Sequence, residues 1–431
     1  MRMRTTLHTP TDEQEERQRV KWFDDGRLRF AVGVEDTFIP QTRPGERALD
    51  EYELMQHYRF WKEDLEFCAE AGSEMVRWGI PWYRVNPEPG VWDWNWLDRV
   101  IDVFEENQLD LVTDLVHYGT PLWLENEFLN PDYPARVAEY AAAVAERYAG
   151  RVKHYTPLNE PLLNIMYCGE FGQWPPYGTG DRGFVDVLRG ITRGIVTTQS
   201  AIADVDPAAD FVHVEASFRF AGDTGAHRET HEHLLHRAYL VQDLVMGRVH
   251  PDHALVPYLE RNGFTDRDFE WASTNVAEPD VVGVNYYPQH STEVFQAGVT
   301  QGGGPGDLRP RLDAGTDGLK DVLTSFAERY GKPVFLTETS YTGTEAERTA
   351  WMDDSVAAVH ELRADGVNVV GYTWWCITDM MEWSYRPGRG KPMDYLLTMG
   401  LWALEEDSEG TLLRRKTPVA DNFRRHALAA R

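Results

Sequence analysis

The chain has 431 residues, and its 70 aspartates and glutamates against 43 lysines and arginines give a formal charge of -27, which repels phosphate backbones and anionic bilayers and argues against nucleic acid or a membrane surface as partner. Hydrophobic residues make up 42% and are spread along the whole length, which excludes a disordered polymer. Cys68, Cys168 and Cys376 are the only cysteines, too scattered for a disulfide framework or a zinc cluster; no apolar run has the length of a membrane span or a secretory leader, so a soluble, cytoplasmic protein is expected.

The polar opening stretch over 1–20 is predicted to be a flexible N-terminal segment. The first short apolar run, RLRFAVG at 27–33, is followed by HYRFWKEDLEFCAEAG, whose apolar residues recur at helical spacing and end in glycine. The same alternation then repeats: EMVRWGI at 74–80, LDLVTDLVH at 109–117, a helical PARVAEYAAAVAERYAG, and KHYTPLN at 153–159. DFVHVEAS at 210–217, PDVVGVN at 279–285, KPVFLTET at 332–339, a helical ERTAWMDDSVAAVHELRADG, and VNVVGYTWWC at 367–376 complete it. Eight β-rich runs alternating with helices predict an α/β fold, a (β/α)8 TIM barrel with loop insertions, as a single domain over 21–431. A doubly wound open sheet is the rival, but no glycine-rich phosphate fingerprint follows the first run. The glycine-rich QGGGPGDLRP at 301–310 reads as a mobile loop after the sixth strand.

Barrel chemistry sits where strands end, so polar residues closing an apolar run are the candidates. Glu160 closes the fourth run and Glu338 the seventh, and strands four and seven of an eight-strand ring can set their end residues face to face. Two carboxyls in different protonation states are what cleavage of a glycosidic bond with retention requires: one protonates the departing oxygen, the other attacks the anomeric carbon. Retention places them about 5–5.5 Å apart, inversion roughly 6.5–9.5 Å. Arg77 ends the second run, and a cation inside a barrel implies a carboxylate partner. His117 ends the third, where a neutral imidazole can bond a sugar hydroxyl. The histidines of AHRETHEHLLHRAYL lack a zinc-protease arrangement and read as a charged outer helix. Neither metal nor cofactor is expected.

Four ordered motifs, LNEP at 158–161, DVVGVNYY at 280–287, TETS at 337–340 and GYTWWCITDMMEW at 371–383, resemble those of glycoside hydrolase family 1, the β-glucosidase family, from about Phe30 to His426. The resemblance implies a retaining β-glycosidase acting on a neutral terminal β-linked sugar of a small glycoside or oligosaccharide. It implies Glu160 as acid/base, Glu338 as nucleophile, Asn159 on the sugar 2-OH, and Tyr287 with Asn285 and Arg77 supporting the nucleophile's surroundings. It also implies His117, Trp375, Glu382 and Trp383 as the sugar site, Glu382 disfavouring a 6-phosphorylated substrate. The chain departs from the family in TETS and in Tyr118 after His117. The family's early glycone-gripping glutamine has its counterpart in Gln41 only on a shifted alignment, with Glu35 and Asp36 at neighbouring positions, so that assignment stays open. A carbohydrate-binding barrel without turnover and an endo-acting glycanase are the alternatives; assembly into a homo-oligomer is left open.

Overall fold

The computed structural model describes residues 20–296 and 309–431. All but the last residue of the segment expected to be flexible over 1–20, and all but the end of the glycine-rich loop, lie outside the described residues. Eight parallel strands form a closed ring: β1 Arg29–Gly33, β2 Met75–Gly79, β3 Asp110–Asp114, β4 His154–Thr156, β5 Asp210–Ala216, β6 Val281–Asn285, β7 Val334–Thr339 and β8 Val369–Trp374. Every strand pairs with its sequence neighbours, and β1 pairs with both β2 and β8, which closes the barrel. Each of the eight apolar runs contains one of these strands, because a strand covered on both faces reads as nearly continuous hydrophobic sequence.

The helices α1 His57–Glu70, α2 Asn95–Glu106, α3 Tyr133–Arg147, α4 Gly180–Val205, α5 Leu240–Val245, α6 Gly315–Tyr330, α7 Glu345–Ala364 and α8 Pro418–Ala429 follow the eight strands in turn. α7 opens on a reciprocal cap in which Thr344 accepts from the Glu347 backbone and Glu347 from that of Thr344, so two of the N–H groups at the helix start find acceptors. The histidine-rich stretch is a helix, Arg228–Arg237.

Ala31, Met75, Val112, Val212, Val281 and Phe335 pack as one buried cluster drawn from six strands, which places it inside the ring. Trp22 packs edge-on against Phe23, His154 and Phe335 and covers the end where the strands begin. Two residues further along β2 and β3, on the same inward rows, the side chains change character: Met75 gives way to Arg77 and Val112 to Asp114, all buried. With a side-chain period of two, the barrel interior is thus apolar at one end and charged at the other. Short two-stranded ladders, Phe38–Ile39 with Leu49–Asp50 and Met380–Met381 with Leu396–Leu397, follow β1 and β8 and belong to loop insertions at the charged end.

Candidate active site

Regular alternation along β7 would turn Glu338 away from the interior row that Phe335 and Thr337 share. The pairing register of β7 instead shifts between Leu336 and Glu338 against β6, and between Leu336 and Thr339 against β8. Such an irregularity re-aims a side chain, and Glu338 is turned into the mouth, 4% exposed. Arg77 Nη1 donates to its Oε1 at 2.9 Å and the Tyr287 hydroxyl to its Oε2 at 2.6 Å. Arg77, fully buried, also donates to Asp114 Oδ2 at 2.7 Å, to Asn159 Oδ1 at 3.1 Å and to the Thr337 carbonyl at 3.0 Å. Burial raises the Glu338 carboxyl to about 8, the charge of Arg77 opposing and that of Glu160 adding to it. Burial likewise pushes Asp114 upward, but Arg77 and His117 outweigh it and hold that carboxyl below its ordinary range.

Glu160 lies past the strand rather than closing it, because β4 stops at Thr156. Its backbone takes the left-handed conformation, φ 46° and ψ 57°, which costs a non-glycine residue about 1–3 kcal/mol. Neighbours pin it there: Asn159 N donates to the Val116 carbonyl and Glu160 N to that of Val214, each at 3.0 Å. Pro161 starts a short helix, and buried Glu215 accepts from Leu162 N at 3.2 Å at that helix's open end. The Glu160 side chain points back to the mouth, accepting from Asn285 Nδ2 at 2.9 Å and from the Tyr118 hydroxyl. Asn285 is itself fixed by Thr337 Oγ1, 2.7 Å from its Oδ1, so β4, β6 and β7 hold the two carboxyls through one chain of hydrogen bonds.

His117 and Trp375 stack at 5.8 Å and 13°. His117 Nδ1 stands 2.9 Å from Asp36 Oδ1 and 3.3 Å from Asp114 Oδ2, and Nε2 is 3.1 Å from Asn159 Nδ2. Burial alone would lower the proton affinity of the ring; Asp36 and Asp114 reverse that and raise it well above the ordinary imidazole range, while burial takes Asp36 itself up to about 7 against the pull of His117. Asn159 Oδ1 accepts from Arg77, so its Nδ2 faces Nε2 as a donor, and the ring turns Nδ1 toward the two carboxylates.

Around these groups lies a cavity of about 890 Å³, bordered by Glu35, His117, Glu160, Glu338, Trp375, Glu382 and Trp383 among others. Glu382 is exposed at its rim and accepts from Ser384 Oγ at 2.6 Å. Trp383 packs against Tyr118, Tyr167 and Trp174 to form an aromatic wall; Tyr167 stands on a π-helical turn, Met166–Glu170, a distortion common at functional sites.

Gln41 does not join this group. After β1 the chain pairs Phe38 with Asp50 and leaves the mouth, and Gln41 is exposed beyond that ladder with its amide donating to the Glu46 carbonyl at 2.8 Å. Glu35 is the early residue that borders the cavity. Glu35, Asp36 and His117 also form a grouping that could hold a metal, with candidate ligand atoms all within 4.8 Å of one another; both Glu35 oxygens, however, already accept from Trp375 Nε1 and Thr37 N. Sequence reasoning missed Asp114, Glu215 and the Tyr118–Glu160 bond. Asp114 alone left a signal, a carboxylate on the inward row beside Arg77.

Gly33, at the end of β1, is what lets Trp375 lie over that strand: a Cβ there would stand 1.9 Å from Trp375 Cε3. Gly33→Ala is therefore expected to destabilise the fold by about 1–3 kcal/mol, in the range of other overpacked cores, with a matching loss of sugar affinity. Thermal unfolding beside calorimetric titration with a monosaccharide checks both, and an unchanged melting temperature contradicts the packing argument.

Residues 22–301 and 309–388 match the family model described as Glycosyl hydrolase family 1. The 1,4-beta-D-glucan glucohydrolase of Thermotoga neapolitana is 25% identical over 364 residues, covering 76% of this chain and 83% of that protein. Beta-glucosidase 44 of Arabidopsis thaliana is 23% identical over 419 residues, covering 83% and 80%. Among solved structures, the beta-glucosidase from Thermotoga maritima in complex with galacto-hydroximolactam superposes with a TM-score of 0.78 at 17% identity, over 94% of this chain and 98% of that one.

Proposed function

The chain belongs to glycosyl hydrolase family 1 and is a retaining β-glycosidase, and we propose that Glu338 is its nucleophile, Glu160 its acid and base, and a neutral terminal β-linked sugar its glycone. The observation that carries this reading is the difference between the two carboxyls. Glu338 is bonded to a buried guanidinium and a phenol; Glu160, among the described residues, accepts from the neutral donors Asn285 and Tyr118. Like charges in one buried mouth disfavour each other's ionisation. Among the described residues Arg77 touches Glu338 alone of the two, which favours the anion there and suits Glu338 to attack and Glu160 to act as the acid.

From that state a Glu338 oxygen attacks the anomeric carbon while Glu160 gives its proton to the departing oxygen, leaving a glycosyl ester on Glu338. Glu160, now ionised, takes a proton from the water that attacks the same carbon, and the ester bond breaks with net retention. In this reading Asn159, held by Arg77, bonds the 2-OH, and Trp375 and Trp383, which border the cavity, meet the apolar side of the sugar. Glu35, Glu46 and Glu382 also border the cavity, and Arg386 at its edge is paired with Glu46 at 2.9 Å; a phosphorylated sugar would meet mainly like charge. Three buried free cysteines fit a reducing cytoplasm. No helix among the described residues is long and apolar enough to cross a membrane.

A panel of aryl β-glycosides differing only in the sugar identifies the glycone, and magnetic resonance of the first product formed reads the stereochemistry. A β-anomer released first is expected; an α-anomer overturns the assignment of Glu338 as nucleophile. Tyr287→Phe removes a bond to a charged group worth about 1.5–3 kcal/mol. Formation of the glycosyl-enzyme should slow roughly 10- to 100-fold, and because the hydroxyl lowers the Glu338 carboxyl, the acidic limb of kcat/KM, which reports ionisation of the nucleophile, should move to higher pH. A limb that stays in place, or moves down, contradicts the role given to Tyr287.

A further inference from the structure

Resting on the glycosidase reading and deepening it, we propose that Tyr118 is a positioning residue for the acid and base: its hydroxyl donates to Glu160 and stabilises the anion that Glu160 becomes on giving up its proton. Tyr118 stands where the chain departs from its family after His117, on the loop that follows β3. It is 2% exposed, its ring packs against His117, Trp174 and Trp383, and it borders the cavity. A ring held by three others delivers its hydroxyl to one place, beside Glu160 Oε2.

Asn159 sets the direction of that bond. Its Oδ1 accepts from Arg77 Nη2 at 3.1 Å and from Asn285 Nδ2 at 3.3 Å, so the atom 3.1 Å from the Tyr118 oxygen is Nδ2, a donor. A phenol carries one hydrogen, and with Asn159 donating to its oxygen that hydrogen points to Glu160. Arg77, Asn159 and Tyr118 thus pass polarisation one way, toward the carboxyl. Glu160 is faced by Glu338 on β7, Glu215 on β5, Tyr287 after β6 and Tyr167 on the π-helical turn, while Arg77 and His117 meet Asn159. The neighbouring carboxylates oppose a new negative charge on Glu160, and a donor to that charge offsets them. Burial first, and then the charges of Glu160, Glu338 and Glu35, hold the phenol well above its ordinary range, so it stays a donor.

Tyr118 keeps its own proton throughout; the proton that reaches the departing oxygen is that of Glu160. In the first step negative charge grows on Glu160 as that proton leaves, and a hydrogen bond to an ionised oxygen is about twice as strong as one between neutral groups. The hydroxyl therefore helps the departure of a group that needs the proton and does little for one that leaves unaided.

The test compares the full-length wild type with Tyr118→Phe on aryl β-glucosides whose leaving groups run from 2,4-dinitrophenol to phenol. For the phenyl glucoside kcat/KM should fall about 10- to 100-fold, the scale of a lost bond to a charged group, and for the dinitrophenyl glucoside by less than about threefold. The alkaline limb of kcat/KM, which reports loss of the acid's proton, should move to higher pH, because the anion has lost a donor.

If Tyr118 only packs against the indoles or contacts the sugar, every glucoside falls by one common factor, the limb stays in place, and the proposal is overturned. Should Tyr118→Phe fail to fold, Tyr118→3-fluorotyrosine, a more acidic donor of nearly the same shape, should move the limb to lower pH; an unmoved limb overturns the proposal equally. Absence of turnover by the wild type counts against the glycosidase reading instead. The Glu160 carboxyl is then titrated by carbon-13 magnetic resonance of labelled glutamate, its signal assigned by its loss in Glu160→Gln. A midpoint higher in Tyr118→Phe than in wild type supports the role of Tyr118, and equal midpoints refute it.

Discussion

Glu338→Ala should turn over an aryl β-glycoside on the order of 10⁴-fold more slowly or worse, as removal of an enzyme's nucleophile does elsewhere, and azide should restore part of the rate while yielding the α-glycosyl azide. The product follows from counting displacements: azide in the space vacated by the carboxylate attacks once and inverts. Glu160→Ala should lose about 10²–10⁴-fold, most with poor leaving groups, and azide should there yield the β-glycosyl azide, because the ester on Glu338 still forms first. Opposite anomers from the two variants assign each role by the product itself. The same anomer from both, or wild-type rates from either, refutes the pairing.

Loss of Arg77 should have the largest effect on stability. Its guanidinium joins Glu338, Asp114, Asn159 and the Thr337 carbonyl at full burial, so Arg77→Met strands two buried carboxylates, a change that costs about 3–5 kcal/mol. Arg77→Lys should recover little, because an ammonium does not span the same fork. The pH dependence carries a sign. Asp114 is held below its ordinary range in the folded protein, so its contribution is present above its unfolded pKa and lost as pH falls through the folded one. The variant's deficit is therefore greatest near neutrality and shrinks on acidification, as the stranded carboxyls take up protons. Denaturant unfolding at pH 7 and at a pH below 3.8, the ordinary value for Asp114, measures it; a deficit independent of pH would place the role of Arg77 in packing alone.

Strands buried on both faces announce themselves as apolar runs, and for that reason all eight were legible in the sequence, as was the barrel they close. Glu338 was legible as the acid ending such a run, and Glu160 through its motif. What aims each was not. The register shift in β7 and the left-handed turn at Glu160 arise from pairing with other strands, and no local propensity encodes them. Gln41 matched the family's glutamine only on a shifted alignment, and the ladder through Phe38 carries it away from the mouth. Glu35 and Asp36 stood in plain view as adjacent acids after an apolar run, but one turns to the indole and the other to His117, a division that only the assembled end of the barrel decides. Tyr118 read as a substitution, whereas its hydroxyl contacts Glu160 directly. The proton affinity of His117 depends on Asp36, 81 residues earlier, and is invisible to any window.

The ring closes where the first strand meets the last, with Val32 beside Trp374, and the indole one residue beyond that seam lies over Gly33 and bonds Glu35. The floor proposed for the sugar is therefore shared by the earliest and the latest parts of the barrel to leave the ribosome. A chain lacking its eighth strand would carry both carboxylates without that indole beside them, so on the proposed assignment hydrolysis begins only once the circle is complete.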